Sequence, residues 1–161
     1  MAEDLKLAPG LGREQKYQEL IPQIVALIAG ETNLIANLAN IAAALKESLD
    51  LLWIGFYLVD GEELVLGPFQ GPVACTRIKK GKGVCGAAWV GQHTIIVPDV
   101  EKFPGHIACS SHSRSEIVLP ALRQNEVFLI LDIDSTELND FSEIDQNYLG
   151  QIIKLIEIQI Q

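Results

Sequence analysis

The hydrophobic period of this chain changes twice along its length, and that order limits the folds it can adopt. Residues 13–29 and 32–49 carry apolar side chains at helical spacing, and residues 142–160 repeat the pattern at the other end. The middle of the chain lacks this spacing and contains short apolar or β-branched runs instead. Because a parallel sheet would need helices between its strands, this order predicts an α+β fold with a mostly antiparallel sheet.

Six short runs in the middle of the chain are the predicted strands, and two local signals mark a turn and a helix start. Asp60 and Gly61, between the first two runs, indicate a β-hairpin. Ser142, with Asp145 three residues later, is a capping-box pattern that begins the last helix. The runs are Leu52–Val59, Glu63–Leu66, Val73–Ile78, Thr94–Val97, Ser115–Leu122 and Val127–Ile133.

Length, net charge and the lack of long apolar stretches predict the number of domains, the partners that are disfavoured and the cellular compartment. A chain of 161 residues is expected to form one domain over residues 1–161, with residues 1–12 as a flexible N-terminal segment. Its 12 Lys and Arg residues against 21 Asp and Glu residues give a net charge of −9, which disfavours binding to nucleic acid or to an anionic membrane surface. The sequence has no apolar stretch of the ~18 residues that a membrane span needs and no signal-peptide pattern, so we expect a cytoplasmic protein.

Residues 81–86 read GKGVCG and match the glycine pattern of dinucleotide-binding loops. Only a few residues separate Gly86 from the next predicted strand at Thr94, too few for the crossover of ~10–12 residues that this motif requires. We therefore interpret the segment as a flexible loop followed by a short helix that begins near Val84. This interpretation puts Cys85 in the first turn of that helix.

The three cysteines are the candidates for chemistry. An odd count without the density of a disulfide framework predicts free thiols rather than structural disulfides. Cys85 would lie at the positive end of a helix dipole just after three lysines, and Cys109 has two histidines and an arginine within five residues. Positive potential favours a thiolate at both, whereas Cys75 lies in an apolar run and is expected to be less activated. The alternative is that all three are small buried side chains.

A metal site is a second interpretation of the same cysteines. Cys109 and His112 form a C-x-x-H pair of the kind that binds zinc. Structural zinc sites usually show two close pairs, and the remaining cysteines and histidines of this chain are scattered singly. We therefore predict no metal.

Three carboxylates lie in or beside the predicted strands. Asp132 and Asp134 are two residues apart, so they share one strand face, and Glu116 precedes another apolar run. Like charges brought together among apolar neighbours raise each other's pKa, which would leave one of them protonated near neutral pH. Trp53 and Tyr57 also share a strand face, although on composition alone they fit an ordinary core.

Four segments resemble those of GAF-domain enzymes that reduce free methionine-(R)-sulfoxide: WIGFYLVDGEELVLGPFQGPVAC, GKGVCG, FPGHIACSSHSRSEIVLP and LDIDS. The resemblance runs from Trp53 to Ser135 and includes the flanking helices, and all three cysteines stand where that family has them. It implies a GAF fold, in which helices from both chain ends pack on one face of an antiparallel sheet of about six strands. It also implies a homodimer.

The resemblance implies a role for each cysteine. Cys109 corresponds to the nucleophile, and Cys85 corresponds to the resolving thiol that forms a disulfide with it. Cys75 corresponds to an auxiliary thiol that can pair with Cys85. From the residues alone the choice of attacking thiol stays open, because a helix dipole would favour Cys85.

The family's substrate pocket corresponds to Trp53, Tyr57, Glu116, Asp132 and Asp134. One protonated carboxyl of this group would donate a proton to the sulfoxide oxygen, with Glu116 and Asp134 as the catalytic candidates. The resemblance further implies free methionine-(R)-sulfoxide as substrate and thioredoxin as reductant, without metal or organic cofactor. A non-catalytic GAF module that senses a small molecule or redox state is the alternative.

Overall fold

The computed structural model describes residues 4–159 of the chain. These residues form four α-helices, six β-strands and one short 3-10 helix. In chain order the elements are α1 (Arg13–Ile28), α2 (Leu34–Ser48), β1 (Trp53–Asp60), β2 (Glu63–Gln70), β3 (Arg77–Lys79), α3 (Gly83–Gly91), β4 (Ile95–Val97), the 3-10 helix (Val100–Lys102), β5 (Ser115–Arg123), β6 (Glu126–Ser135) and α4 (Glu143–Gln159).

The six strands form one antiparallel sheet in the order β3-β2-β1-β6-β5-β4. The predicted hairpin joins β1 to β2, with Asp60 paired to Glu63 across the turn. The longest strand pairing joins β5 to β6, and β1 and β6 are the two central strands of the sheet. The α+β class and the antiparallel sheet predicted from the sequence are therefore confirmed.

Alternation along the strands gives the sheet two different faces. In β1, Ile54 and Phe56 pack with the helices on one side, while Trp53 and Tyr57 belong to a separate cluster on the other side. The first side carries the larger apolar core, which β1, β5 and β6 build with α1, α2 and α4. The helices of both chain ends thus pack on one side, as expected. We call this side the helical face and the opposite side the pocket face.

The pocket face is covered by α3 and by the irregular segments 71–76 and 103–114. The helix α3 packs on β3, β5 and β6 and begins at Gly83, one residue before the predicted start. Cys85 is therefore in the first turn of α3, as the sequence predicted. The pocket face combines this helix with loop segments, whereas the helical face is covered by three long helices.

The third predicted strand differs most from the structure. Only the end of the run Val73–Ile78 is in a strand, because β3 begins at Arg77. Two aromatic side chains of β1 donate hydrogen bonds to the backbone carbonyls of Pro72 and Cys75. These side chains hold the segment that precedes β3, and the hydrogen bonds from β2 reach only as far back as Thr76, whose carbonyl accepts one from the Leu66 N–H at 3.0 Å. The predicted location of Cys75 in a strand is therefore wrong.

The start of α4 confirms the capping-box prediction. Ser142 Oγ accepts a hydrogen bond from the Ile144 N–H at 3.2 Å, and Asp145 Oδ2 accepts one from the Ser142 N–H at 2.9 Å. The predicted end of this helix, residue 160, lies outside the described residues. No helix within residues 4–159 has both the length and the apolar character that a membrane crossing requires.

The N-terminal segment contacts α1 in the part that the structure describes. Leu5 and Leu7 pack against the core of the helical face. The Lys6 N–H donates a hydrogen bond to Gln23 Oε1 at 2.9 Å, and Gln23 Nε2 donates one back to the Lys6 carbonyl at 2.8 Å. The flexibility of residues 1–12 stays a prediction, and residues 1–3 lie outside the described residues.

Candidate active site

A pocket with an internal volume of about 40 Å³ lies on the pocket face, between the central strands and α3. The five residues predicted to bind substrate line it, together with Cys85 and Cys109. Cys75 lies at its edge, in the segment 71–76, and is bonded to Cys109. The fold therefore brings candidate residues from separate segments of the chain to one place.

Strand register positions the three carboxyl groups. Glu116 on β5 lies directly opposite Asp134 on β6, and Asp132 lies two residues earlier on the same face of β6. The strand β1 completes the arrangement, since Trp53 pairs with Asp134 and Gly55 pairs with Asp132. Glu116 is only 5% exposed and Asp132 only 7% exposed. The spacing predicted a shared face for the two aspartates, while the approach of Glu116 follows from the pairing of β5 with β6.

Burial raises the pKa of all three carboxyl groups, and repulsion between the carboxyl groups raises it further at Glu116 and Asp132. Burial is the largest cause for Glu116, the charge of Asp134 adds to it, and the pKa rises to about 8. The pKa of Asp132 lies well above its usual range because the group is buried beside Glu116 and Asp134. Burial raises the pKa of Asp134 to about 6, and a hydrogen bond from Ser113 opposes that shift. The cluster therefore retains protons near pH 7.

Hydrogen bonding distinguishes the three carboxyl groups. Ser113 Oγ donates a hydrogen bond to Asp134 Oδ1, and His106 Nε2 lies 3.7 Å from Glu116 Oε2. Asp132 Oδ1 is buried and has no hydrogen-bond partner among residues 4–159. An unpartnered buried oxygen costs free energy, and a ligand that supplies the missing hydrogen bond recovers it. Asp132 is therefore the carboxyl group that is best prepared to bind a ligand.

Cys85 lies against the carboxyl groups, and its surroundings differ from those expected. The residue is 4% exposed, and burial together with Asp132 and Glu116 raises the pKa of its thiol well above the ordinary value. The three lysines that precede it in the sequence are exposed to solvent. The prediction of a thiolate at Cys85 is therefore wrong, because burial beside carboxyl groups outweighs the helix dipole.

Cys85, Glu116 and Asp132 are also the candidate metal ligands among the described residues. Cys85 Sγ and one oxygen each from Glu116 and Asp132 lie within 4.8 Å of one another. Sulfur and carboxylate oxygen are both ligands of zinc. The absence of a metal stays a prediction.

Cys75 and Cys109 form a disulfide at the edge of the pocket, with their Cα atoms 5.4 Å apart. Two expectations are corrected by this bond. The chain has a disulfide, and the partner of Cys109 is Cys75 rather than Cys85, which is the free cysteine. Cys75 and Cys109 both lie on irregular segments, while Cys85 is held inside α3. The disulfide includes the sulfur of Cys109, which is the atom that the Cys109–His112 pair would use to bind zinc.

Trp53 and Tyr57 connect the sheet to the segment that carries Cys75. Trp53 Nε1–H donates a hydrogen bond to the Pro72 carbonyl at 3.0 Å, and the Tyr57 hydroxyl donates one to the Cys75 carbonyl at 2.9 Å. The Trp53 ring also stacks on Tyr57, at a centroid distance of 5.9 Å, and on Phe69, at 5.4 Å. These aromatic side chains both line the pocket and hold the segment 71–76 in position.

Three contributors to the site were missed from the sequence. Phe69 supports the Trp53 ring, and Gly55 makes room for both, since a Cβ atom there would collide with each of them. A glycine inside a predicted strand is a sequence signal of such a close approach, so the role of Gly55 could have been predicted from the sequence. Ser113, which bonds to Asp134, had none, because neighbouring serines surround it in the sequence.

The chain matches the GAF domain family model over residues 31–161. It is 62% identical over 158 residues to GAF domain-containing protein A of Dictyostelium discoideum, with 98% of this chain and 99% of that protein covered. It is 45% identical over 148 residues to the free methionine-R-sulfoxide reductase of Escherichia coli (strain K12), with 91% of this chain and 90% of that protein covered. Both similarities therefore extend over most of each protein.

Solved structures show the same likeness in three dimensions. The chain is similar to the X-ray structure of free methionine-R-sulfoxide reductase from Neisseria meningitidis in complex with its substrate, with a TM-score of 0.96 and 49% sequence identity. That match covers 99% of this chain and 96% of the other. The likeness therefore includes both faces of the sheet and the segments between them.

Proposed function

We propose a function for this chain on the premise that it belongs to the GAF domain family and, within it, to the free methionine-R-sulfoxide reductases. The chain reduces free methionine-(R)-sulfoxide to methionine. The observation that carries the proposal is the disulfide between Cys75 and Cys109 beside a pocket of protonated carboxyl groups. Sulfoxide reduction needs those parts: a thiol that attacks sulfur, an acid for the departing oxygen and a second thiol that regenerates the first.

Cys109 is the attacking thiol in this proposal. It lines the pocket with the carboxyl groups and with His106, a side chain whose positive form favours a thiolate. Cys85 lines the same pocket, but burial beside Asp132 and Glu116 keeps its thiol protonated. The sequence alone did not decide which cysteine attacks the substrate. We assign the attack to Cys109, because the thiolate and not the thiol is the nucleophile.

Glu116 is the proton donor that the geometry favours. Its raised pKa of about 8 means that it carries a proton at pH 7, and Asp132 beside it offers an oxygen that still lacks a partner. As the Cys109 thiolate attacks the substrate sulfur, the carboxyl group protonates the sulfoxide oxygen. The protonated oxygen then passes from the substrate sulfur to the Cys109 sulfur, and the sulfur–sulfur bond formed by the attack breaks. The substrate sulfur gains two electrons and leaves as the thioether of methionine, and Cys109 is oxidised to a sulfenic acid.

Cys75 then resolves the sulfenic acid. Its sulfur attacks the sulfur of Cys109, the disulfide forms, and the oxygen leaves as water. Thioredoxin reduces the disulfide by thiol–disulfide exchange, so the steps use no metal and no organic cofactor. The proposal gives Cys75 the resolving role that the resemblance implied for Cys85, since the disulfide involves Cys75.

The pocket suits a free amino acid. Trp53 offers an apolar wall for the methyl group, and Asp134, with a pKa of about 6, is mainly ionised at pH 7 and can bind the ammonium group. We expect selectivity for the free sulfoxide over a sulfoxide within a protein chain. We also expect a homodimer in the cytoplasm, which light scattering and cell fractionation would test.

Turnover of the separate epimers tests the proposal. The reduced protein, supplied with dithiothreitol and free methionine-(R)-sulfoxide, should release methionine, whereas the (S)-epimer should give none. The Cys109→Ser variant, prepared in the same way, controls for contaminating reductases. If neither epimer turned over while one bound tightly, a non-catalytic GAF sensor would be the better description. Equal rates on a sulfoxide inside an oxidised protein would contradict the selectivity.

A further inference from the structure

The disulfide at the pocket edge is flanked by two exposed apolar side chains. Val73 precedes Cys75 by two residues and is 88% exposed, and Ile107 precedes Cys109 by two residues and is 39% exposed. The exposed large apolar side chains of the described chain are Val25, Ile35, Val73, Val90, Ile107, Leu138, Ile144 and Ile158. Two members of this set therefore lie beside one covalent bond, although 34 residues separate its cysteines in the sequence.

Val73 and Ile107 both line the mouth of the pocket, and packing within the chain leaves them open to solvent there. Val73 is almost fully open to solvent and lies in a segment outside the sheet. Ile107 approaches Gly83 at the start of α3 but stays partly exposed. Single exposed apolar residues are common, but apolar residues clustered at a reactive group are typical of a surface that a partner covers.

We propose that Val73 and Ile107 form a docking surface for the protein dithiol that reduces the Cys75–Cys109 disulfide. We call these two side chains the reductant patch. The inference rests on the proposed function. A disulfide that forms in every turnover must be reduced in every turnover, so the chain must bind its reductant each time. A protein that delivers a thiol to this bond must contact the side chains on either side of it, and burying them contributes to binding.

Charge near the reductant patch favours an acidic partner. The whole chain has a net charge of −9, but the segments 77–82 and 102–115 contain basic residues and no acidic residue. Lys82, from the first of these segments, is exposed and lines the same pocket as Ile107. Complementary charge increases the rate at which two proteins meet, so an acidic dithiol protein would associate fastest.

The geometry also indicates which sulfur the partner attacks. Both cysteines are half-buried, but Cys109 lines the pocket and Cys75 lies outside the lining, so a partner approaching from outside the pocket meets Cys75 first. The partner's thiolate attacks Cys75, a mixed disulfide forms, and Cys109 leaves as a thiolate. The partner's second thiol then attacks the mixed disulfide, which releases Cys75 and leaves the partner oxidised. Two electrons thus pass to the disulfide, and Cys109 returns in its attacking form.

The experiment follows reduction of the oxidised protein without any sulfoxide. Stopped-flow measurements with reduced thioredoxin compare Val73→Ser and Ile107→Ser with the matched controls Val90→Ser and Ile35→Ser. The control side chains are 59% and 50% exposed and lie on other elements. Each patch variant should lower the second-order rate constant at least ~10-fold, and each control should change it by less than about twofold. Dithiothreitol should reduce all the proteins at similar rates, because a small dithiol needs no docking surface.

Several results would overturn the inference. One is a decrease in the control variants that equals the decrease in the patch variants. Another is a parallel decrease with dithiothreitol, which would mean that the substitutions change the disulfide itself. A wild-type protein that dithiothreitol reduces and thioredoxin does not would exclude this class of partner. Thioredoxin with its second cysteine replaced by serine should be trapped on Cys75, and trapping on Cys109 would contradict the assigned sulfur.

Failure of the proposed function would look different. A wild-type protein that thioredoxin reduces, but that releases no methionine from either sulfoxide epimer, would contradict the reductase activity. The exchange rates of the patch variants would still be measured in that case, because the exchange assay contains no sulfoxide. The two proposals can therefore fail separately.

Discussion

Two aspartates are buried on opposite sides of the sheet, and they differ in their partners. Asp145, on the helical side, is 1% exposed and accepts hydrogen bonds from Arg13 Nη1 at 3.2 Å, the Tyr17 hydroxyl at 2.7 Å and the Ser142 N–H at 2.9 Å. Asp132, on the pocket side, is 7% exposed, and its Oδ1 has no hydrogen-bond partner among the described residues. One carboxyl group thus has a cation and two further donors, while the other has a buried oxygen without a donor.

The two aspartates differ in what they do for the protein: Asp145 contributes to stability, and Asp132 belongs to the groups that take part in the reaction. A buried carboxylate with a full set of donors stabilises the contact between two helices, here α1 and α4. A buried carboxyl group with one unpartnered oxygen, next to Glu116 and Cys85, destabilises the fold and keeps a proton available. Substitutions on the pocket side should therefore change the reaction, and substitutions around Asp145 should change the free energy of unfolding.

The largest expected effect comes from the attacking thiol. Cys109→Ser should lower turnover of free methionine-(R)-sulfoxide at least ~10⁴-fold with any reductant, because no other group attacks the sulfur. Under reducing conditions its urea unfolding curve should match that of the wild type. A Cys109→Ser protein that kept its activity with dithiothreitol, together with an inactive Cys85→Ser protein, would exchange the two roles.

The next effect concerns the proton donor. Glu116→Gln keeps the shape of the side chain but removes the acid, so turnover should fall ~10²–10⁴-fold with a smaller change in KM. In single-turnover measurements, the wild-type rate should decline as the pH rises above about 8, where Glu116 loses its proton, and the variant should lack this decline. If the variant only bound substrate more weakly, Glu116 would be a binding group and His106 the next candidate donor.

The resolving step gives an effect that depends on the reductant. Cys75→Ser should lower thioredoxin-supported turnover about 100-fold and retain activity with dithiothreitol, which attacks the sulfenic acid directly. Cys85→Ser should retain activity with both reductants. The comparison of initial rates with the two reductants checks this prediction. The opposite pattern would return the resolving role to Cys85 and contradict the role drawn from the disulfide.

On the helical side, removal of a partnered carboxylate should affect stability instead. Asp145→Ala leaves Arg13 and the Tyr17 hydroxyl without this acceptor, so the free energy of unfolding should fall by about 3 kcal/mol. Urea denaturation monitored by circular dichroism measures the change. Below the unfolding transition, the chemical step should proceed at the wild-type rate. A loss of turnover like that of Glu116→Gln would break the separation between the two sides of the sheet.

The smallest expected effect is the dependence of stability on pH. The folded-state pKa of Glu116, about 8, lies above its ordinary value of 4.5, so the folded protein binds more protons than the unfolded chain between these pH values. The stability from this group is therefore complete below about pH 4.5 and is lost as the pH rises towards 8. Glu116→Gln should flatten that dependence and raise the free energy of unfolding at pH 7, because the variant has no proton to lose. An unchanged pH dependence would contradict the raised pKa.

The sequence by itself determined the features that depend on neighbours along the chain. Hydrophobic period located α1, α2 and α4, and the Ser142–Asp145 pattern located the start of α4. The spacing of Asp132 and Asp134 assigned them to one face, because side chains two apart in a strand point the same way. The order of helices and strand runs was enough for the α+β class. The helices, the start of α4 and the shared face each need only residues within a few positions of one another, and the class needs only the order of such segments along the chain.

Only the tertiary structure decided which cysteines form the disulfide and that the thiol of Cys85 stays protonated. The disulfide joins Cys75 and Cys109 through two irregular segments, and no hydrophobic period describes the path of such a segment. The helix dipole, a local feature, favoured a thiolate at Cys85, but β5 and β6 bring Glu116 and Asp132 against it and reverse the expectation. Spacing along the chain determines short-range geometry, whereas desolvation and disulfide pairing depend on groups that distant segments bring together.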